Sequence, residues 1–171
     1  MKLLRSLFVL FTIVAITSCS SNDDNNDSSP TAGDGQFVAT VNNSSFVSTK
    51  ALTSSSLQGG VLNITSKSAG GNTISISINN FDNEGTANLS GSTNEGIAIY
   101  LPSGDNKFYS SVVQGGSGSI TITEFNNSAK SISGTFSFTG VRQKTNSSGQ
   151  AETETVVITN GSFKNVTVTE F

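Results

Sequence analysis

The sequence predicts an all-β fold, an antiparallel meander of about nine to eleven strands that is barrel-like or strongly curved. Three observations lead there. Apolar residues recur with a period of two rather than 3.6, Gly/Asn/Asp clusters interrupt them about every ten residues, and no segment keeps helical periodicity over three turns. A two-sheet β-sandwich is the alternative, because a long sheet can deal with its edges by closing on itself or by folding into two packed layers.

Taken in chain order, the first strand covers residues 37–41 and ends at Asn42-Asn43, a pair suited to a two-residue hairpin. Residues 45–49 follow. Residues 50–60, with Ser54-Ser55-Ser56 and Gly59-Gly60, are the first candidate for a long sandwich-type crossing. Residues 61–67 form the next strand, and Ala69-Gly70-Gly71 turns the chain. Ile74, Ile76 and Ile78 then alternate with Thr73, Ser75, Ser77 and Asn79, placing three isoleucines on a dry face and a polar ladder on a wet one.

Asp82-Asn83-Glu84-Gly85 is a turn leading into residues 85–90, and Gly91 to Gly96 is another. Ile97, Ile99 and Leu101 are expected to repeat the dry face. Residues 107–113 fit a strand less cleanly. After Gly115-Gly116, Ile120 and Ile122 alternate with Ser119, Thr121 and Thr123, and Ile132, Phe136 and Phe138 alternate with Ser133, Thr135, Ser137 and Thr139. Gly134 inside that run suggests a bulge or tight bend. Residues 142–153 are the second candidate crossing, and Asn160-Gly161 reads as a hairpin turn between strands at 154–159 and 163–170.

The chain begins differently. Lys2 and Arg5 precede a short apolar run, about Leu7 to Ile16, and Ile16-Thr17-Ser18 leads into Cys19, the single cysteine. That order is a secretory signal ending in a lipid-attachment site. The run is too short for a spanning helix, which needs about 20 apolar residues. An ordinary signal peptide is the rival reading. Lipidated Cys19 would leave no free thiol, and two or three acyl chains hold a protein at a bilayer where one does not.

The expected organisation is therefore a signal peptide at 1–18, a tether at 19–35 and one all-β domain at 36–171. The tether has no large apolar residue before Phe37, so it cannot offset its ordering entropy. Its acids Asp23 and Asp24 resemble the export signal of surface-exposed lipoproteins in Bacteroidota. That resemblance implies an outer-membrane location facing the exterior, with a periplasm-facing attachment as the alternative.

A second resemblance covers most of residues 36–168. Phe37-Val38-Ala39-Thr40-Val41-Asn42-Asn43, Gly118-Ser119-Ile120-Thr121-Ile122, Ser133-Gly134-Thr135-Phe136-Ser137-Phe138 and Ile158-Thr159-Asn160-Gly161-Ser162-Phe163 resemble a group of uncharacterised β-rich Bacteroidota lipoproteins. It implies a domain of unknown function and supplies no catalytic residues.

Composition narrows the chemistry. Loss of residues 1–18 removes two of the nine basic residues and none of the twelve acids, leaving a formal charge of −5. That balance argues against nucleic acid as a partner. There is no histidine, which excludes imidazole bases, Ser-His-acid triads and histidine-held metals.

Catalysis would fall to carboxylates, and the domain offers Asp82, Glu84, Glu95, Asp105, Glu124, Glu152, Glu154 and Glu170, mostly at turns and strand ends. The expectation is that they are dispersed there, so no catalytic residue, metal ligand or cofactor is assigned. Asp82-Asn83-Glu84 lacks the spacing and ligand count of an EF-hand. The expected role is a non-enzymatic surface binding or accessory module whose protein, glycan or small-ligand partner is open. A lipocalin-like carrier is the alternative, and a carboxylate glycan hydrolase is third. Glycan binding is disfavoured by the absence of Trp and by having only Tyr100 and Tyr109.

Overall fold

Ten strands and no helix make up the computed structural model, which describes residues 31–170. The strands are β1 (Phe37–Val41), β2 (Ser44–Gln58), β3 (Val61–Ser68), β4 (Thr73–Ile78), β5 (Gly85–Asn88), β6 (Gly96–Leu101), β7 (Tyr109–Ser110), β8 (Ser117–Asn126), β9 (Ser131–Thr145) and β10 (Ala151–Glu170).

Local chemistry sets the first turns. Asn42 and Asn43 both adopt positive φ, 44° and 66°, so β1 and β2 join through two residues with the twist a hairpin needs. Gly59 and Gly60 do the same between β2 and β3. Residues 50–60 are thus a strand and a tight turn, not a crossing. The other expected crossing, residues 142–153, is the end of the β9–β10 hairpin, where Glu152 and Glu154 lie opposite Lys144 and Arg142.

Hydrogen-bonded neighbours run β2-β3-β4-β6-β7-β9-β10 and return to β2 through a parallel pairing of Val168–Glu170 with Ser55–Leu57. The sheet closes into a ring, as the expected strong curvature implies, although it is not a regular barrel. β7 is two residues long and meets β9 only at Ser110↔Val141. β1 fills the gap between β10 and β2, while β8 and β5 extend from β9.

Asn160-Gly161 does not form a hairpin. β10 runs straight through it, with Asn160 at φ 52° and the register slipping between Ile158 and Gly161. The left-handed residue is absorbed as a bulge because β9 is long enough to pair on both sides of it. A Cβ on Gly161 would lie 2.5 Å from the Phe136 ring, so the bulge also admits that ring. Gly134 keeps its place in β9, and the register slips instead in β8 and β10 opposite it.

The core fills the ring. Ile74, Ile76, Ile78, Ile120, Ile122, Ile132, Phe136 and Phe138 are buried, as the alternation predicts, and Ile64 of β3 joins them. Phe37 lies 4.6 Å from Phe136 and 5.9 Å from Phe163 between ring centres, forming an aromatic stack across the middle.

β6 inverts the expectation: Gly96, Ala98 and Tyr100 face inward, and Ile97, Ile99 and Leu101 lie half-buried outside. The reason is space. A Cβ on Gly96 would meet the Ser77 carbonyl oxygen at 2.6 Å and Leu89 at 2.9 Å, so small residues let the sheet curve tightly here. Contact with the folded body begins before Gln36, since Ala32 is buried and the Gly35 amide donates to the Lys164 carbonyl.

Candidate functional site

Strand direction places two clefts at opposite ends of the ring. β4 leaves Asn72 at one end and delivers Ile78 and Asn79 to the other, and β6 returns from Glu95 to Tyr100 and Pro102.

The first end is the acidic cleft, of about 440 Å³, lined by residues 78–87 together with Thr93, Asn94, Glu95 and Ile122. It brings together Asp82, Glu84 and Glu95, three of the acids expected to be dispersed. Two of them serve the backbone. Glu84 accepts from the Phe125 amide at 3.0 Å, and Glu95 accepts from the Asn88 amide at 2.7 Å and from the Asn88 side chain at 2.9 Å. Asn88 lies opposite Ser119, and Phe125 lies three residues beyond Ile122, the last β8 residue paired with β5, so the anchoring amides are separated by about 20 Å at about 3.3 Å per residue. Glycosidase pairs stand about 5 to 9.5 Å apart. No group of three or more metal-binding side chains occurs among the described residues.

The second end is the tyrosine cleft, of about 380 Å³. Its floor is Val41, Phe46, Tyr100 and Val156, and its rim is Asn42, Ser44, Ser45, Asn72, Pro102 and Tyr109. The β6–β7 pairing sets Tyr100 directly opposite Tyr109, with ring centres 6.2 Å apart. The side-chain oxygen of Asn42 accepts from the Val157 amide at 2.8 Å, and that of Asn72 accepts from the Ser103 amide at 2.9 Å. Each bond fixes its side-chain amide and leaves the NH₂ without a partner among the described residues.

Behind Tyr109 stands an ion cluster. The Arg142 guanidinium lies 4.5 Å from the Tyr109 ring centre and donates to Asp105 at 2.5 Å and to Glu154 at 2.6 Å. Lys144 reaches Glu154 at 2.5 Å and Glu152 at 3.6 Å, and the Tyr109 hydroxyl donates to Glu154 at 3.3 Å. The hydrogen bond from Lys144, then that from Arg142, pulls the Glu154 carboxyl down to about 2. Asp105 is lowered chiefly by Arg142, and Arg142 is raised by Asp105 and Glu154. Burial raises both tyrosines, most directly Tyr100.

The sequence shows Arg142 and Lys144 as the one close basic pair, and the alternation of Glu152 with Glu154 matches it across a hairpin. That signal could have located the cluster had 142–153 been read as a hairpin. Asp105 joins from a loop and Tyr109 from a two-residue strand inside the weakly alternating run 107–113. Of the remaining acids, Glu170 pairs with Lys130 and Glu124 accepts from Ser133. Cys19, Asp23 and Asp24 lie outside the described residues.

Fold and clefts together define a ring-closed all-β domain with a polar, aromatic mouth at one end and an acidic one at the other. Residues 33–167 match the family model described as Domain of unknown function (DUF6252), and the chain belongs to that family. Neither the comparison with curated proteins nor that with solved structures found a match.

Proposed function

We propose that this is a bacterial lipoprotein of the outer membrane, held by acylated Cys19 and facing the cell exterior, whose domain is a non-enzymatic binding module. The observation that carries the reading is the position of Cys19, one cysteine placed at the end of a basic and then apolar export segment. Asp23 and Asp24 support display on the outer face. Two features of the domain favour binding over catalysis or carriage. Glu84 and Glu95 of the acidic cleft are engaged by backbone amides, and the Phe37, Phe136 and Phe163 stack occupies the interior that a carried ligand would need.

Protease shaving of intact cells, read by mass spectrometry, tests the location. Peptides from the domain are expected before lysis; release only after lysis refutes surface display. Cys19→Ser should abolish acyl labelling and move the protein to soluble fractions, and membrane retention of that variant with its signal properly cleaved contradicts the anchor.

A further inference from the structure

We infer that the tyrosine cleft binds a neutral glycan, seating one or two sugar units over Tyr109 and Pro102 with the buried Tyr100 in its floor. The inference deepens the binding-module reading and rests on it. Sequence alone disfavoured glycans because the chain has only two tyrosines and no tryptophan; the fold brings both tyrosines to one cleft.

The donor set matches a hydroxyl-rich ligand. The Asn42 and Asn72 NH₂ groups are aimed by the backbone bonds their side-chain oxygens accept, and the Ser44, Ser45 and Tyr100 hydroxyls have no partner among the described residues. These rim groups are solvent-facing donors and acceptors, so sugar hydroxyls can take the places of the waters that satisfy them without leaving a polar group unpaired. Val41, Val156 and Pro102 supply the apolar counterpart that a sugar's C–H face requires.

Charge and backbone weigh against two other ligand classes. No lysine, arginine or carboxylate lines the cleft, and the nearby Arg142 is already paired with Asp105 and Glu154. An anionic ligand finds no free counter-charge. A peptide adding as a strand needs an open ladder, yet β1 pairs with both β2 and β10, and β6 with both β4 and β7.

The chain provides its own probe. With no Trp and two Tyr, near-ultraviolet circular dichroism and tyrosine fluorescence report mainly on this cleft. The intact lipidated chain in detergent is titrated with neutral pentasaccharides (glucans, xylan, mannan and galactan fragments), with tetragalacturonate and with a neutral octapeptide. A saturable tyrosine response to at least one neutral glycan is expected. Asn72→Asp and Asn42→Asp keep the acceptor for Ser103 or Val157 and remove the donor, so affinity should fall at least tenfold with the melting temperature unchanged. Ser45→Ala, at an exposed position, should weaken binding severalfold and covers the case in which an Asp variant fails to fold. No response to any neutral glycan, a response only to the acid or the peptide, or full affinity in all folded variants overturns the inference. None of those results bears on surface display, which protease shaving tests separately.

Discussion

The two mouths of the ring are built from opposite materials. At the acidic end, side-chain oxygens turn back onto neighbouring strands: Glu84 and Glu95 hold backbone amides of β8 and β5, and the Asx-rich segment 79–84 closes the ring with hydrogen bonds from the Asn79 and Phe81 amides. At the tyrosine end, the charges stand behind the cleft and neutralise one another, while the rim's amides and hydroxyls are left facing out. In this chain, then, a count of acids locates structure, whereas unpaired neutral polar groups locate the candidate site.

The aromatic stack reaches the tyrosine mouth through Phe46, whereas the acidic mouth has its own ring pair, Phe81 on Phe125, and the largest expected effect is at the stack. Phe136→Ala should cost about 3–5 kcal/mol, and Thr135→Ala, exposed on the other face of β9, within about 0.5 kcal/mol. Urea unfolding measures both. Equal losses would mean that Phe136 does not face the core and that the tyrosine mouth is not backed by the stack.

The next test concerns β6, which links the mouths. Ala98 is fully buried on the inward face of this tightly curved strand, so Ala98→Leu should overpack it by about 1–3 kcal/mol. Ile99→Thr, on the outer face, should change stability by about 0.5 kcal/mol or less. A reversed order of losses in thermal melts would restore the facing that the alternation of Ile97, Ile99 and Leu101 suggested.

That facing was not legible because both parities of β6 are apolar: Ile97, Ile99 and Leu101 on one side, Ala98 and Tyr100 on the other. Period alone cannot choose between them, and ring curvature does. β4, β8 and most of β9 were legible, since in Thr73–Ile78 and Ser117–Asn126 only one parity could be buried. Asn160-Gly161 carried a true signal, positive φ, but a bulge and a hairpin demand the same residue, and only the length of the partner strand separates them. Of the tyrosine cleft, the sequence showed the residue types. Their convergence depends on closing the ring through β7, a two-residue strand inside the run 107–113, whose weak alternation gives neither its length nor its partners.

Acid should separate the two ends by a third and smaller effect. The ordinary value of Glu154 is 4.5, and the cluster holds it near 2 when folded. A depressed carboxyl contributes stability that is fully present above about 4.5, declines as pH falls and is gone once the pH has passed through about 2. The near-ultraviolet tyrosine signal should therefore stay flat from pH 7 to about 4.5 and decay below it. In Arg142→Ala, where Glu154 keeps only Lys144 as its cationic partner, the folded value moves back toward 4.5, so the decay should be smaller and complete at higher pH. An unchanged profile in that variant would detach the ion cluster from the tyrosine cleft.

The smallest expected effect is at the acidic mouth, where Asp82-Asn83-Glu84 has the composition of a calcium loop. If that segment bound Ca²⁺ with a dissociation constant of about 10 μM, 1 mM Ca²⁺ would stabilise the fold by about 2.7 kcal/mol. In a domain of this size such a gain would raise the melting temperature by several degrees. The hydrogen bonds argue otherwise. One Glu84 oxygen is engaged by the Phe125 amide and one Glu95 oxygen by Asn88, and ligating a cation would require breaking bonds that close the end of the ring. We expect 1 mM Ca²⁺ to shift the melting temperature by less than about 1 °C, and Asp82→Asn to do no more, because neither adds to nor removes from those bonds. A calcium-dependent rise that Asp82→Asn abolishes would make the acidic mouth a site in its own right and end the contrast with the tyrosine one.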